Sequence, residues 1–282
     1  PDSLLSLAYM DVGTVEPIIR KLNDALWQLA LTKDRQYQQS AYALLDELAP
    51  RHIYFQQFRL DWKYRLSRAM IFEQFTEDVL PRKYLYGLPD MLRRMQVQII
   101  ELFKNVLDMD SRTEAVPQRM VTYYKSAGEN GFRFYPQPVS FEMVNNEVFT
   151  EVLEPNSIYD IIDYHLRECV KREVKMRVCK NCDRYFAVTG RVTTEYCSRP
   201  FDSKGRTCKE VGAIAQWTRS KKDDDVFKDY RREYKKRFAR MKAGTLPPEE
   251  FYAWSKRARE KKAACETGEI SQEEFSDWLG LE

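Results

Sequence analysis

The 282-residue sequence predicts a mainly α fold with small β elements: an N-terminal helical domain, a cysteine-centred module and a helical tail. Three observations carry this. Apolar residues recur at helical spacing through the first half of the chain. Glycine and proline are sparse, at 10 and 12, while Tyr and Phe number 17 and 15, a balance that disfavours loop-rich or barrel-like folds. Four of the six cysteines crowd between Cys179 and Cys208. At 43% hydrophobic and 32% charged, the chain reads as globular and is long enough for a real core.

The helical domain is expected over residues 1–174. Thr14 precedes Val15, Ile18, Ile19, Leu22, Leu26 and Leu29, which fall on one helical face. A second amphipathic run covers about 34–49 and stops before Pro50. Residues 51–88 read as helix with irregular stretches at Leu80-Pro81 and Gly87-Leu88-Pro89. After Pro89, Leu92, Met95, Ile99, Leu102, Phe103 and Val106 form the clearest stripe, and a helix over 114–127 stops at Gly128. The period then changes. Residues 132–135 and 139–153 read as extended, giving a β-hairpin near 132–153 with its turn at Asn145-Asn146. Ser157 with Asp160 resembles a capping box for a helix carrying Ile158, Ile161, Ile162, His165 and Cys169 on one side.

The four clustered cysteines are spaced Cys179-x2-Cys182-x14-Cys197-x10-Cys208. Zinc takes four tetrahedral soft donors, and a Cys-x2-Cys knuckle presents two sulfurs to one ion while a second pair arrives after a spacer. Structural Zn2+ held by all four is the expectation for the module 175–222. With every position filled, the ion would be structural and not catalytic. A redox dithiol at Cys179/Cys182, or structural disulfides in an exported chain, are the competing readings. The surroundings suggest a treble-clef-like arrangement. Residues 185–188 and 193–196 have the composition of two short strands joined through Gly190, Cys197 would end that hairpin, and Cys208 would open a helix.

The layout of a helical body, Cys-x2-Cys followed by Tyr185-Phe186, Tyr196-Cys197-Ser198, and a cysteine opening a helix resembles uncharacterised bacterial proteins. It is also similar to the CGNR zinc-finger proteins, and that resemblance implies regulators that bind nucleic acid. The Cys-Gly-Asn-Arg signature is absent, since Lys209-Glu210-Val211 follows Cys208. The tail, 223–282, repeats itself at an offset of 24 residues, with 244–254 matching 268–278. The pattern Gly-x-[Leu/Ile]-x-x-Glu-Glu-Phe is similar to SHOCT modules, which implies an interaction or oligomerisation role. In the second copy, Ser271 and Glu274 suit a capping box, Ile270 can staple against Phe275, and Gly268 suits a helix stop.

Charge is uneven. Residues 167–242 hold 23 Lys/Arg against 11 Asp/Glu, although the whole chain carries only +3. Arg184, Arg191, Arg206, Lys209, Arg219, Lys221, Lys222, Arg231, Arg232, Lys235 and Lys236 are the candidate contacts for DNA or RNA phosphates. The triplet Asp223-Asp224-Asp225 suits the positive end of the following helix. The aromatic stripe of that helix, Phe227, Tyr230, Tyr234, Phe238 and Met241, reads as core-facing.

No phosphate-binding Gly loop, Ser-centred elbow or carboxylate/His metal motif is present, and two histidines so far apart in sequence do not suggest an enzyme. No apolar run approaches the roughly 20 residues of a membrane span, so no membrane partner is expected. The cysteine usage fits a reducing cytoplasm. The expected function is a zinc-stabilised bacterial regulator binding nucleic acid through its basic C-terminal module. The alternative is a protein–protein adaptor that docks through the tail repeats.

Overall fold

The computed structural model describes residues 1–110, 113–137, 139–222 and 224–281. Its first helices follow the apolar periodicity: α1 (Asp2–Ala8), α2 (Glu16–Thr32), α3 (Arg35–Leu48), α4 (Ile53–Phe72) and α5 (Arg82–Leu102). The α2 stripe Ile18, Ile19, Leu22, Leu26 and Leu29 is buried, facing α3 and α5. Asp34 caps α3, its side chain accepting from Gln36 N–H, and Lys33 takes a left-handed conformation that separates α3 from α2.

The expected break at Gly87-Leu88-Pro89 does not occur, because α5 runs through Pro89. Proline removes one helical hydrogen bond, but Leu85, Leu88, Pro89 and Leu92 are all buried on one face, and that packing holds the helix together. The stripe continues through Leu102 into a π-helical turn, Phe103–Leu107. Arg119 of α6 (Val116–Ala127) then collects the carbonyls of Val106, Asp108 and Glu114.

The extended stretch at 132–135 forms no ladder. It is fastened to α7 (Ile158–Lys171) instead. Tyr135 N–H donates to the buried Asp163 carboxylate at 2.7 Å, and Arg167, paired with Asp163, donates to Tyr135 C=O at 2.8 Å. The expected hairpin occupies 139–153, β1 (Val139–Val144) paired with β2 (Val148–Leu153). Asn145 and Asn146 both carry the positive φ such a turn demands. One hairpin face presents Val139, Phe141, Met143 and Phe149 to solvent, with Phe141 and Phe149 60% and 61% exposed. Ser157 and Asp160 form the capping box of α7.

Two compact units are distinguished. The first comprises Pro1–Cys179 and Asp183–Glu195, the second Lys180–Cys182 and Tyr196–Glu282. In the first unit a strand pair, β3 (Met176–Val178) with β4 (Tyr185–Ala187), follows α7.

The second unit holds α8 (Cys208–Ser220), α9 (Asp225–Lys242), α10 (Pro248–Glu266) and α11 (Gln272–Leu281). Asp224 caps α9, and Asp223 lies outside the described residues. Tyr230, Tyr234 and Met241 pack on a core of Leu246, Phe251, Trp254, Ala258, Phe275 and Leu279. Both repeat copies start at a glycine of positive φ, Gly244 and Gly268. At each, the next residue donates back to the end of the preceding helix (Thr245 to Arg240 C=O, Glu269 to Ala264 C=O), closing a Schellman turn. Ser271 and Glu274 exchange the bonds of a capping box. No helix among the described residues is long and apolar enough to cross a membrane.

His52 and His165, 113 positions apart in sequence, meet on one tyrosine. Tyr54 OH lies 2.7 Å from His165 Nδ1, while His52 Nδ1 accepts from Tyr54 N–H and its Nε2 sits 2.8 Å from Ser6 Oγ. Burial lowers the pKa of both rings from the ordinary 6.5. Protonating His52 would also set a new Nδ1–H against the Tyr54 N–H it caps. Because the folded values lie below the unfolded one, their contribution is complete above about pH 6.5 and is lost as pH falls through the folded values. Urea midpoints should therefore drop on acidification across that window. His52→Asn keeps a cap acceptor without the titration, so it should flatten the drop.

Candidate metal centre

The centre starts from a tight turn. After β3, Cys179 N–H donates to Arg184 C=O at 3.0 Å and Asp183 N–H returns to Cys179 C=O at 2.9 Å. Asp183 takes a φ of 55°, and the chain re-enters as β4 with Val178 opposite Tyr185. Cys179 and Cys182 are thus the two cysteines of a knuckle between antiparallel strands.

The strand expected at 193–196 is a turn. Thr194 N–H closes on Arg191 C=O at 2.9 Å. The carbonyls a ladder would need are already used, since Arg177 Nη1 donates to Val192 C=O and Thr194 C=O at 2.6 and 2.9 Å. The other edge of that guanidinium grips Asp110 through two 2.6 Å bonds, and the carboxylate raises the Arg177 pKa. Residues 185–187 form the one strand of the expected pair, and their partner is β3.

The ten-residue spacer between Cys197 and Cys208 closes on itself. Pro200 bridges Thr207, Phe201 N–H donates to Arg206 C=O, and Cys208 N–H donates to Arg199 C=O at 3.0 Å. Asp202 sits inside this loop, accepting from the N–H groups of Lys204 and Arg206 and pairing with the Arg206 guanidinium at 2.7 Å. Gly205, at a φ of 75°, completes the reversal. The loop ends at a capping box, Thr207 with Glu210, that starts α8 with Cys208 as its first residue. Lys209 N–H then bonds Cys197 C=O at 2.9 Å. A long spacer therefore brings its two cysteines as close as a short one would.

All four sulfurs lie within 4.8 Å of one another, Cys182 and Cys197 at 3.7 Å, and none is in a disulfide. A tetrahedral ion with bonds of about 2.3 Å sets sulfurs about 3.8 Å apart, so the cluster could hold a metal ion. Side-chain donors point at the sulfurs, among them Asn181 Nδ2 to Cys208 Sγ at 3.3 Å and Arg199 Nε to Cys197 Sγ at 3.4 Å. Arg219 in turn donates to Asn181 Oδ1 at 3.0 Å and to its carbonyl at 3.2 Å, which orients the buried amide. Burial pushes the Cys208 thiol up and the Asn181 donor works against that, as suits a sulfur whose ionised form needs nearby positive charge. Cys169 is buried and Cys265 half-buried, and neither belongs to the cluster.

The ring of Tyr196 lies directly on α8 at Gly212, where an added Cβ would fall 2.2 Å from Cδ1, and its hydroxyl donates to Gln216 at 2.7 Å. Tyr196 precedes Cys197, so this contact seats one ligand against the helix that carries another. Gly212→Ala should cost about 1–3 kcal/mol, the range for overpacking a filled contact. Thermal melts would read that loss, and competition with a chromogenic chelator should show weaker metal retention.

The eleven basic candidates divide. Arg184 stacks over the Tyr9 ring at 5.2 Å, Arg206 braces Asp202, and Arg219 is turned to the knuckle. Arg191 and Lys209 are exposed. Lys236 pairs with Glu233 at 3.5 Å. The remaining five (Lys221, Lys222, Arg231, Arg232 and Lys235) line one groove between α8 and α9 together with Trp217, Thr218, Phe227 and Lys228. The sequence reading missed the roles of Asn181 and Arg177. Only the first sat beside a ligand where it could have been suspected.

A family of unknown function, DUF6076, matches residues 137–280, from the hairpin through the four cysteines to the end of the tail repeats. No curated protein and no solved structure matches the chain. The likeness to CGNR zinc fingers and to SHOCT modules stays one of motif. With its match covering just over half of the residues, the chain belongs to the DUF6076 family.

Proposed function

We propose that this chain is a zinc-stabilised regulatory protein that binds nucleic acid through the basic surface of its second unit. The observation that carries the reading is the convergence of Lys221, Lys222, Arg231, Arg232 and Lys235 on one groove. Cations in a concave, partly apolar setting favour phosphate backbones through counterion release. Zn2+ is the ion best suited to four thiolates at these separations, with Cys179, Cys182, Cys197 and Cys208 as its ligands. Four sulfurs leave no position for substrate, so the ion would act by ordering the chain.

Purified protein should contain one equivalent of zinc, and chelation should melt the second unit's ordered start. Metal should also leave as pH falls, because thiolate ligands must be deprotonated to bind. Plasma emission spectrometry with circular dichroism would read both. Folded, metal-free protein would overturn this part.

For nucleic acid, retention on heparin and binding to mixed-sequence DNA or RNA should fall steeply with salt. Replacing Arg231, Arg232, Lys235 and Lys236 with Gln should reduce the log–log salt slope by up to about 3. Absence of binding at low salt would hand the role to the second reading, a protein–protein adaptor. One observation favours that reading: the hairpin face of Val139, Phe141, Met143 and Phe149 is apolar and exposed, and an isolated two-stranded hairpin gains stability when covered.

A further inference from the structure

We infer that the groove between α8 and α9 takes single-stranded nucleic acid, with an unpaired base stacked on Trp217. The inference rests on the nucleic-acid reading above and narrows it. The groove encloses about 560 Å³, within the roughly 300–1,000 Å³ of ligand clefts, and is built within the second unit. Trp217 stands in it 50% exposed, whereas Trp254 of the same unit is buried in the core. Phe227 of α9 meets the indole edge-to-face, ring centroids 5.5 Å apart at 87°, which fixes its orientation.

Charge around the indole is uneven in a useful way. Lys221 is committed to Asp224 and Arg232 to Asp229. Lys222 and Lys235 have no ion-pair partner among the described residues, and Arg231 has only the Phe227 ring, at 5.8 Å. Three cations therefore flank an open aromatic platform.

A duplex offers phosphates to such a groove but keeps its base faces stacked inside, where an indole gains nothing. Only an unpaired base can use both the cations and the ring, and every base has a face to offer, so binding should be tolerant of sequence. Among the described residues, none that lines the groove carries a carboxylate or amide side chain to read base edges: apart from Trp217, Thr218 and Phe227, they are cationic.

The test uses the full zinc-loaded chain and fluorescence anisotropy with labelled dT12, a 12-base-pair duplex of mixed sequence and a mononucleotide competitor. Single strands should bind more tightly than the duplex. Trp217→Ala should weaken dT12 binding about 5- to 100-fold, the loss of one stacked base, with the salt slope unchanged. Trp217→Phe should retain most of the affinity. The side chain is half-exposed, so circular dichroism should show both variants folded. Equal loss on strand and duplex, or none on dT12, would overturn the stacking assignment. Duplex binding without preference for single strands would overturn it too, leaving the broader reading standing. Silence toward both would overturn the two together. A mononucleotide competing at the concentration that dT12 requires would identify a small-molecule site and overturn the strand assignment.

Discussion

Buried sulfur in mutual contact is the constraint on which this molecule's middle depends. Ionised thiolates cannot sit together out of water without positive charge among them, and protonated ones have little reason to converge. The chain resolves this by bringing polar groups from several directions to one point. Arg199 reaches Cys197, Asn181 reaches Cys208, and Arg219 holds Asn181 in place. The backbone contributes through the bond from Lys209 N–H to Cys197 C=O, which ties a ligand loop to the first turn of a ligand helix. An ion placed there would stabilise contacts that already point inward.

The legible parts of the structure were those decided locally. Capping boxes at Ser157/Asp160 and Ser271/Glu274, the Asn145-Asn146 reversal, and a helix opening at Cys208 each depend on residues within a few positions of one another. The mainly helical class follows from the same short-range periodicity. The misread parts were decided at a distance. Pro89 stays helical because buried leucines on both sides outweigh one lost hydrogen bond. Residues 193–196 have strand composition, yet Arg177 and the turn bond occupy their backbone. Residues 132–135 are held by side chains distant in sequence from any strand partner, Phe132 by the hydroxyls of Tyr123 and Tyr124, Arg133 by that of Tyr159 and Tyr135 by the Asp163–Arg167 pair.

The basic surface shows why formal charge overstates a binding face. Much of the excess between residues 167 and 242 is spent locally: Arg206 closes a loop, Arg219 orients an amide, Arg184 covers a tyrosine, and Arg177 clamps two turns. What reaches the α8–α9 groove is a smaller set, thinned further by Asp224 and Asp229. Exposed pairs of this kind contribute little to stability and are screened by salt within about 10 Å.

The duplicated tail has a consequence for how its length can change. Because Gly244 and Gly268 close the same backbone turn, excising one 24-residue period would splice α9 onto α11 with the junction chemistry intact. The peptide geometry would tolerate such a deletion, yet it would remove Trp254, the largest buried side chain in that core, together with Phe251. Loss of either alone costs about 3–5 kcal/mol. The turn makes the tail modular, while its aromatic filling makes it indivisible.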